Sequence, residues 1–150
     1  MDIGDTSDTE EDIDNIINIH HLLKRGVAAV FKLFEKLTEV FESFVCCYNS
    51  IRAREGQMDE HTNSYITGGL LVICESFEVI EAKLSLIQQE VRFLDIIIDS
   101  TTENLKRFFS YPAKTVSNLL EDVRVEMGQI LEKLADIINA CQQVMAVQMS

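Results

Sequence analysis

The 150-residue chain contains no tryptophan, one proline and six glycines. A sandwich or barrel of short strands needs a turn about every 8–12 residues, and Gly and Pro to make those turns, so this scarcity argues against an all-β fold. Basic residues are also few: 13 Lys and Arg stand against 25 Asp and Glu, a formal net charge of −12. Such a field repels phosphate backbones and anionic lipid surfaces, which excludes nucleic acid as the expected partner and disfavours a membrane. No apolar run approaches the roughly 20 residues that span a bilayer; "LLVIC", residues 70–74, is typical of the longest clusters. There is no Gly-rich phosphate loop, no G-x-S-x-G, no H-E-x-x-H and no C-x-x-C. These absences point away from an enzyme, a cofactor and a small-molecule substrate.

What is present is apolar: 47% of the residues, enough in a chain of this length to bury a core without staples. Cys46, Cys47, Cys74 and Cys141 lack the spacing of a disulfide framework and are expected to be free thiols. The segment after Met1, "DIGDTSDTEEDID", has neither the basic start nor the apolar run of a secretion signal, so the expected location is the cytoplasm.

Residues 1–11 read as an acidic disordered tail, with Ser7 and Glu10 at capping-box spacing as a helix start. From Ile13 the apolar positions run Ile16, His20, Leu23, Val27, Val30, Phe34, Leu37, Phe41, Phe44, Tyr48 and Ile51 in steps of three and four. A second stripe runs from Ile66 through Ile73, Ile80, Ile87 and Leu94 to Thr101, Leu105 and Phe108, and a third from Val116 through Val123, Ile130 and Ile137 to Val144. Pro112 reads as the stop between them, since proline suits the first turn of a helix and disfavours helical geometry in the residue before it. The expected domain is therefore 12–150, with helices at about 12–52, 62–109 and 112–148. The expected fold is all-α: an elongated, antiparallel three-helix bundle with coiled-coil-like heptad packing, forming an oligomer. The alternative topology runs helices two and three on through a kink at Pro112.

The first helix has more apolar residues than one seam needs. Phe31 and Val45 flank its stripe on one side, Leu33 and Val40 on the other, and the third helix widens late, through Leu131, Ile138 and Met145. In an up-down-up bundle these positions, with Leu71 on the second helix, gather toward one end. A bundle core accounts for part of this surplus, and an exposed remainder would be an interaction surface.

Metal chemistry fits poorly. The stripes carry no Glu, no Glu-x-x-His occurs, and the cysteines fall at levels spread over roughly 20 Å of bundle at about 1.5 Å per residue, too far apart to share a zinc ion. His20 is the one ionisable residue on the stripes. It is expected at a solvent-facing end, or, if buried, as a residue that fixes register and makes assembly sensitive to mildly acidic pH. Cys46 and Cys47 could take a palmitoyl chain, but their expected fate is burial. In outline the three long helices resemble spectrin-type repeats and crescent-shaped membrane-bending modules; the chain has neither the core tryptophan of the first nor the basic face of the second. The sequence therefore points to a non-enzymatic module that binds protein, either its own copies or other helical subunits, as an adaptor or scaffold. The alternative is a bundle that exposes its apolar face to lipid.

Overall fold

The computed structural model describes residues 8–55, 59–100 and 103–149. It is all-helical, with three helices: α1 (Glu10–Glu55), α2 (Glu60–Ser100) and α3 (Leu105–Met149). Residues 1–7, most of the expected tail and Ser7 with them, lie outside the described residues, as does Thr101. Glu10 and Glu11, placed in the tail by their charge, instead form the first turn of α1, where carboxylates favour the positive end of the helix dipole. The capping box sits two residues later than its expected place. The hydroxyl of Thr9 accepts from the Asp12 N–H at 3.0 Å, and the Asp12 carboxylate accepts from the Thr9 N–H at 3.1 Å. Asp59 caps α2, accepting from the N–H of Thr62 at 3.2 Å.

The boundary between the second and third helices differs from expectation. Helix two stops at Ser100 rather than near 109, and Pro112 lies inside α3 rather than at its start. Two features set the break at 103–104. Asn104 has φ 58°, in the left-handed region that Asn tolerates better than most residues, and the Asp8 carboxylate accepts from the N–H groups of Leu105 and Lys106. The proline removes one N–H from the interior of α3, a loss of about 3 kcal/mol against alanine. Burial of the Pro112 ring offsets part of that. The register shift leaves Phe108, expected in the core, exposed, and buries Phe109 in its place.

The chain packs as two compact units, each with segments of all three helices. The first holds the residues up to Phe31 together with Ala82–Val123. Its core comprises Ile16, His20 and Val30 of α1, Leu84, Ile87, Leu94 and Ile97 of α2, and Leu105, Phe109, Val116 and Val123 of α3. His20 touches both Asp95 of α2 and Phe109 of α3. A straight helix would hold those two residues about 21 Å apart, so the chain folds back between them and the continuous-helix alternative fails.

The second unit holds Lys32–Glu81 with Arg124–Ser150. Its core comprises Leu37, Phe41 and Tyr48 of α1, Ile66, Ile73, Phe77 and Ile80 of α2, and Met127, Ile130, Leu134, Ile137 and Cys141 of α3. Phe77 packs against Phe34 and Phe41, with ring centroids 5.5 and 5.1 Å away. The Tyr48 hydroxyl is hydrogen-bonded to Asn63. Later residues of α1 thus meet earlier residues of α2, an antiparallel pair, whereas Leu33 to Val40 and Arg124 to Leu131 line one groove between α1 and α3. Gly69 is buried because α2 and α3 approach closely there: a Cβ on it would lie 2.6 Å from Cδ1 of Ile137.

Candidate interaction surface

The stripes placed the core, and the side chains beside them form the surface in question. In the second unit Leu33, Leu37 and Val40 of α1 face Met127, Gly128 and Leu131 of α3 across a groove of about 370 Å³, with Lys36 and Arg124 also lining it. Leu37 and Met127 form its buried floor; Leu33, Val40 and Leu131 stand 55%, 52% and 54% exposed. Leu33 and Val40 are seven residues apart, so they recur on one side of α1 just outside its core stripe. The structure thus brings together three of the residues singled out from sequence. Leu71 is 61% exposed on α2, with Val72 and Val79 also exposed, and Met145 is exposed near the end of α3. Val45 and Ile138 are half-buried. Phe31, also half-buried, belongs to the first unit.

His20 corrects the solvent-facing expectation: it is 6% exposed, and its Nε2–H donates to Oδ1 of Asp95 at 2.7 Å. Lys24 Nζ donates to the same oxygen at 3.2 Å. Burial by itself would raise the Asp95 pKa, but the hydrogen bonds from His20 and Lys24, and their charge, hold it below the ordinary carboxylate value. Nδ1 of His20 is buried without a hydrogen-bond partner. Asp95 escaped the sequence reading because it sits beside Leu94 rather than on the stripe; a carboxylate at the level of His20 on the facing helix was the available signal. Asp12 is likewise held below the usual range, first by the Thr9 backbone N–H, then by the Thr9 hydroxyl, with the Lys106 ammonium adding to them.

Cys46 and Cys47 correct a second expectation. The α1 stripe passes through Phe44 and Tyr48, which leaves both thiols exposed, as is Cys74. Cys141 is buried, and burial pushes its thiol pKa up. Among the described residues no group of three His, Cys, Asp or Glu could hold a metal ion, and no helix is long and apolar enough to cross a membrane. No known protein family, curated protein or solved structure matches the chain. The functional reading therefore rests on its own residues.

Proposed function

We propose that this protein is a non-enzymatic assembly module that joins other helical subunits, its own copies included, through exposed apolar side chains of the second unit. The observation that carries the reading is the groove in which Leu33, Val40 and Leu131 converge half-exposed. Large apolar side chains in one concave patch leave water-exposed surface whose burial stabilises a complex by about 25 cal/mol per Å². The three-four spacing of the core positions supports coiled-coil-like heptad packing of the three helices against one another. Three exposed free thiols fit a reducing compartment such as the cytoplasm.

Light scattering across concentration, with a dye that fluoresces on exposed apolar surface, tests the reading. The expected result is a mass above that of one chain at high concentration and dye binding by the native protein. Leu33→Glu, Leu71→Glu and Leu131→Glu together should reduce both while leaving helicity intact. A monomer at every concentration that leaves the dye dark would overturn it.

The exposure of Leu71 and Val72 beside Gly68 favours a second reading, a bundle that offers this face to lipid. Flotation with neutral and anionic vesicles separates the two: the assembly reading expects the protein to stay at the bottom of the gradient with both.

A further inference from the structure

Besides the stripe that it buries, α2 carries a second apolar row. Tyr65, Val72 and Val79, seven residues apart, are exposed in the second unit, and Leu86 and Phe93 repeat the interval on the part of α2 that belongs to the first. Side chains seven apart stand above one another on one face of a helix, and a row with that interval is the seam of a coiled coil. From Tyr65 to Val79 the row is about 21 Å long at about 1.5 Å per residue.

Two features of this stretch say what covers it. Gly68 lies on the row, three residues after Tyr65 and four before Val72. Glycine is among the poorest helix formers, and the chain's own packing does not require one here, because a Cβ at 68 would meet nothing within 4 Å. Its neighbour Gly69 is the contrast, since the side chain of Ile137 occupies the space a Cβ would need. The bare backbone at 68 lets another helix come close to α2. The second feature is charge. From Glu60 to Glu81 this helix carries glutamates and no lysine or arginine. Glu75, on the row between Val72 and Val79, and Glu78 beside it are both exposed, and neither is in an ion pair among the described residues. Lys133 of α3 is at the other end of the row, over the Tyr65 ring and 5.2 Å from its centroid.

We propose that this row receives an amphipathic α-helix of a partner protein, with apolar anchors at seven-residue intervals flanked by lysine or arginine. This rests on the assembly reading above and adds a face on α2 and its occupant. Tyr65, Val72 and Val79 pack against the anchors, Gly68 admits the partner's backbone, and Glu75 and Glu78 pair with its flanking cations. A second copy joined through the same residues would gather carboxylates and supply no cation, which selects against that pairing.

The test titrates the full chain into fluorescent, designed helical peptides of about three heptads. Two carry leucines at the same seam positions and differ only in having lysine or glutamate at the flanks. A third has the composition of the lysine peptide with its leucines scattered round the helix, which controls for attraction to the chain's net charge. The expected result is at least tenfold tighter binding of the lysine peptide than of either other, its preference over the glutamate peptide weakening as salt is raised. Gly68→Gln, which puts a side chain where the backbone is bare, should weaken that binding at least tenfold without lowering the urea midpoint. Glu75→Lys with Glu78→Lys should reverse the preference between the lysine and glutamate peptides. Equal binding of the lysine peptide and either other, a preference untouched by the charge reversal, or a Gly68→Gln chain that binds as tightly as the wild type overturns the proposal. Binding of no peptide also overturns it, and a mass above that of one chain then leaves the assembly reading standing without this occupant. If Val72→Ser with Val79→Ser dissolves that oligomer, a second copy covers the row; if it abolishes flotation with neutral vesicles, lipid does.

Discussion

The two units are built from the same three helices and the same three-four spacing, yet they use polar groups in opposite ways. The first buries a histidine and pairs its Nε2 with a carboxylate of a neighbouring helix, and there a groove of about 370 Å³ between α1 and α3 is lined by Asp12, Asn15, Lys106 and Ser110 among apolar neighbours. There Lys106 lies 3.9 Å from Asp12, and Asp8 caps α3. In the second unit the buried side chains are apolar, or apolar bodies with a polar tip such as Tyr48, and the corresponding groove is lined by Leu, Val and Met with basic residues at Lys36 and Arg124. Heptad spacing therefore does not by itself decide whether the groove beside a seam is lined by polar or by apolar side chains. The residues one step outside the stripe decide it.

The largest effect should come from the aromatic cluster of the second unit. Phe77→Ala removes the ring shared by Phe34 and Phe41 and should cost about 3–5 kcal/mol in urea denaturation. A loss under about 1 kcal/mol would mean that the cluster is not a packed core. Next come the glycines, which test whether a close approach and an open groove respond with opposite signs. Gly69→Leu forces a side chain onto Ile137 and should destabilise by about 1–3 kcal/mol. Gly128→Ala should stabilise by up to about 1 kcal/mol, because it gains helix propensity and meets nothing.

In the first unit, Asp95→Ala strands the buried His20 ring without its partner and should cost about 1–2 kcal/mol, the exposed side of the Asp95 carboxylate keeping the figure low. Its pH signature has a definite sign. The folded pKa of Asp95 is depressed, so its contribution is complete above the unfolded value of about 3.9 and disappears as pH falls through the folded one. Urea midpoints of the wild type and of Asp95→Ala should therefore converge below about pH 4; a gap that persists there would mean the carboxylate acts only by packing. Asp59→Ala, which uncaps α2, should cost about 0.5–2 kcal/mol.

The helices and nearly all of the core were legible in the sequence. Ile16, Val30, Leu37, Phe41 and Tyr48 are buried where the first stripe puts them, as are Ile66, Ile73, Ile80, Ile87 and Leu94 on the second and Val116, Val123, Ile130 and Ile137 on the third. The stripe also read straight across the α2–α3 break, because Ile98, Thr101, Leu105 and Phe108 continue its step on paper. Phe109, Pro112 and Val116 already carried the register of α3, so Pro112 was a residue of the new helix and not its boundary. Of the surface residues, Leu33, Val40 and Leu131 were legible as flanking positions; that they share one groove was not.

Periodicity is a local property, set by 3.6 residues per turn acting on neighbours a few positions apart, and the sequence alone determined the things that depend on it: three long helices, their inward faces and the shortage of inward polar groups. The tertiary structure decided the rest because the deciding partners are far away along the chain. His20 meets Asp95 75 residues later, and Asp8 caps a helix 97 residues on. The exposure of Cys46 and Cys47, and the groove that Leu33, Val40 and Leu131 line, likewise depend on which side chains of other helices arrive beside them.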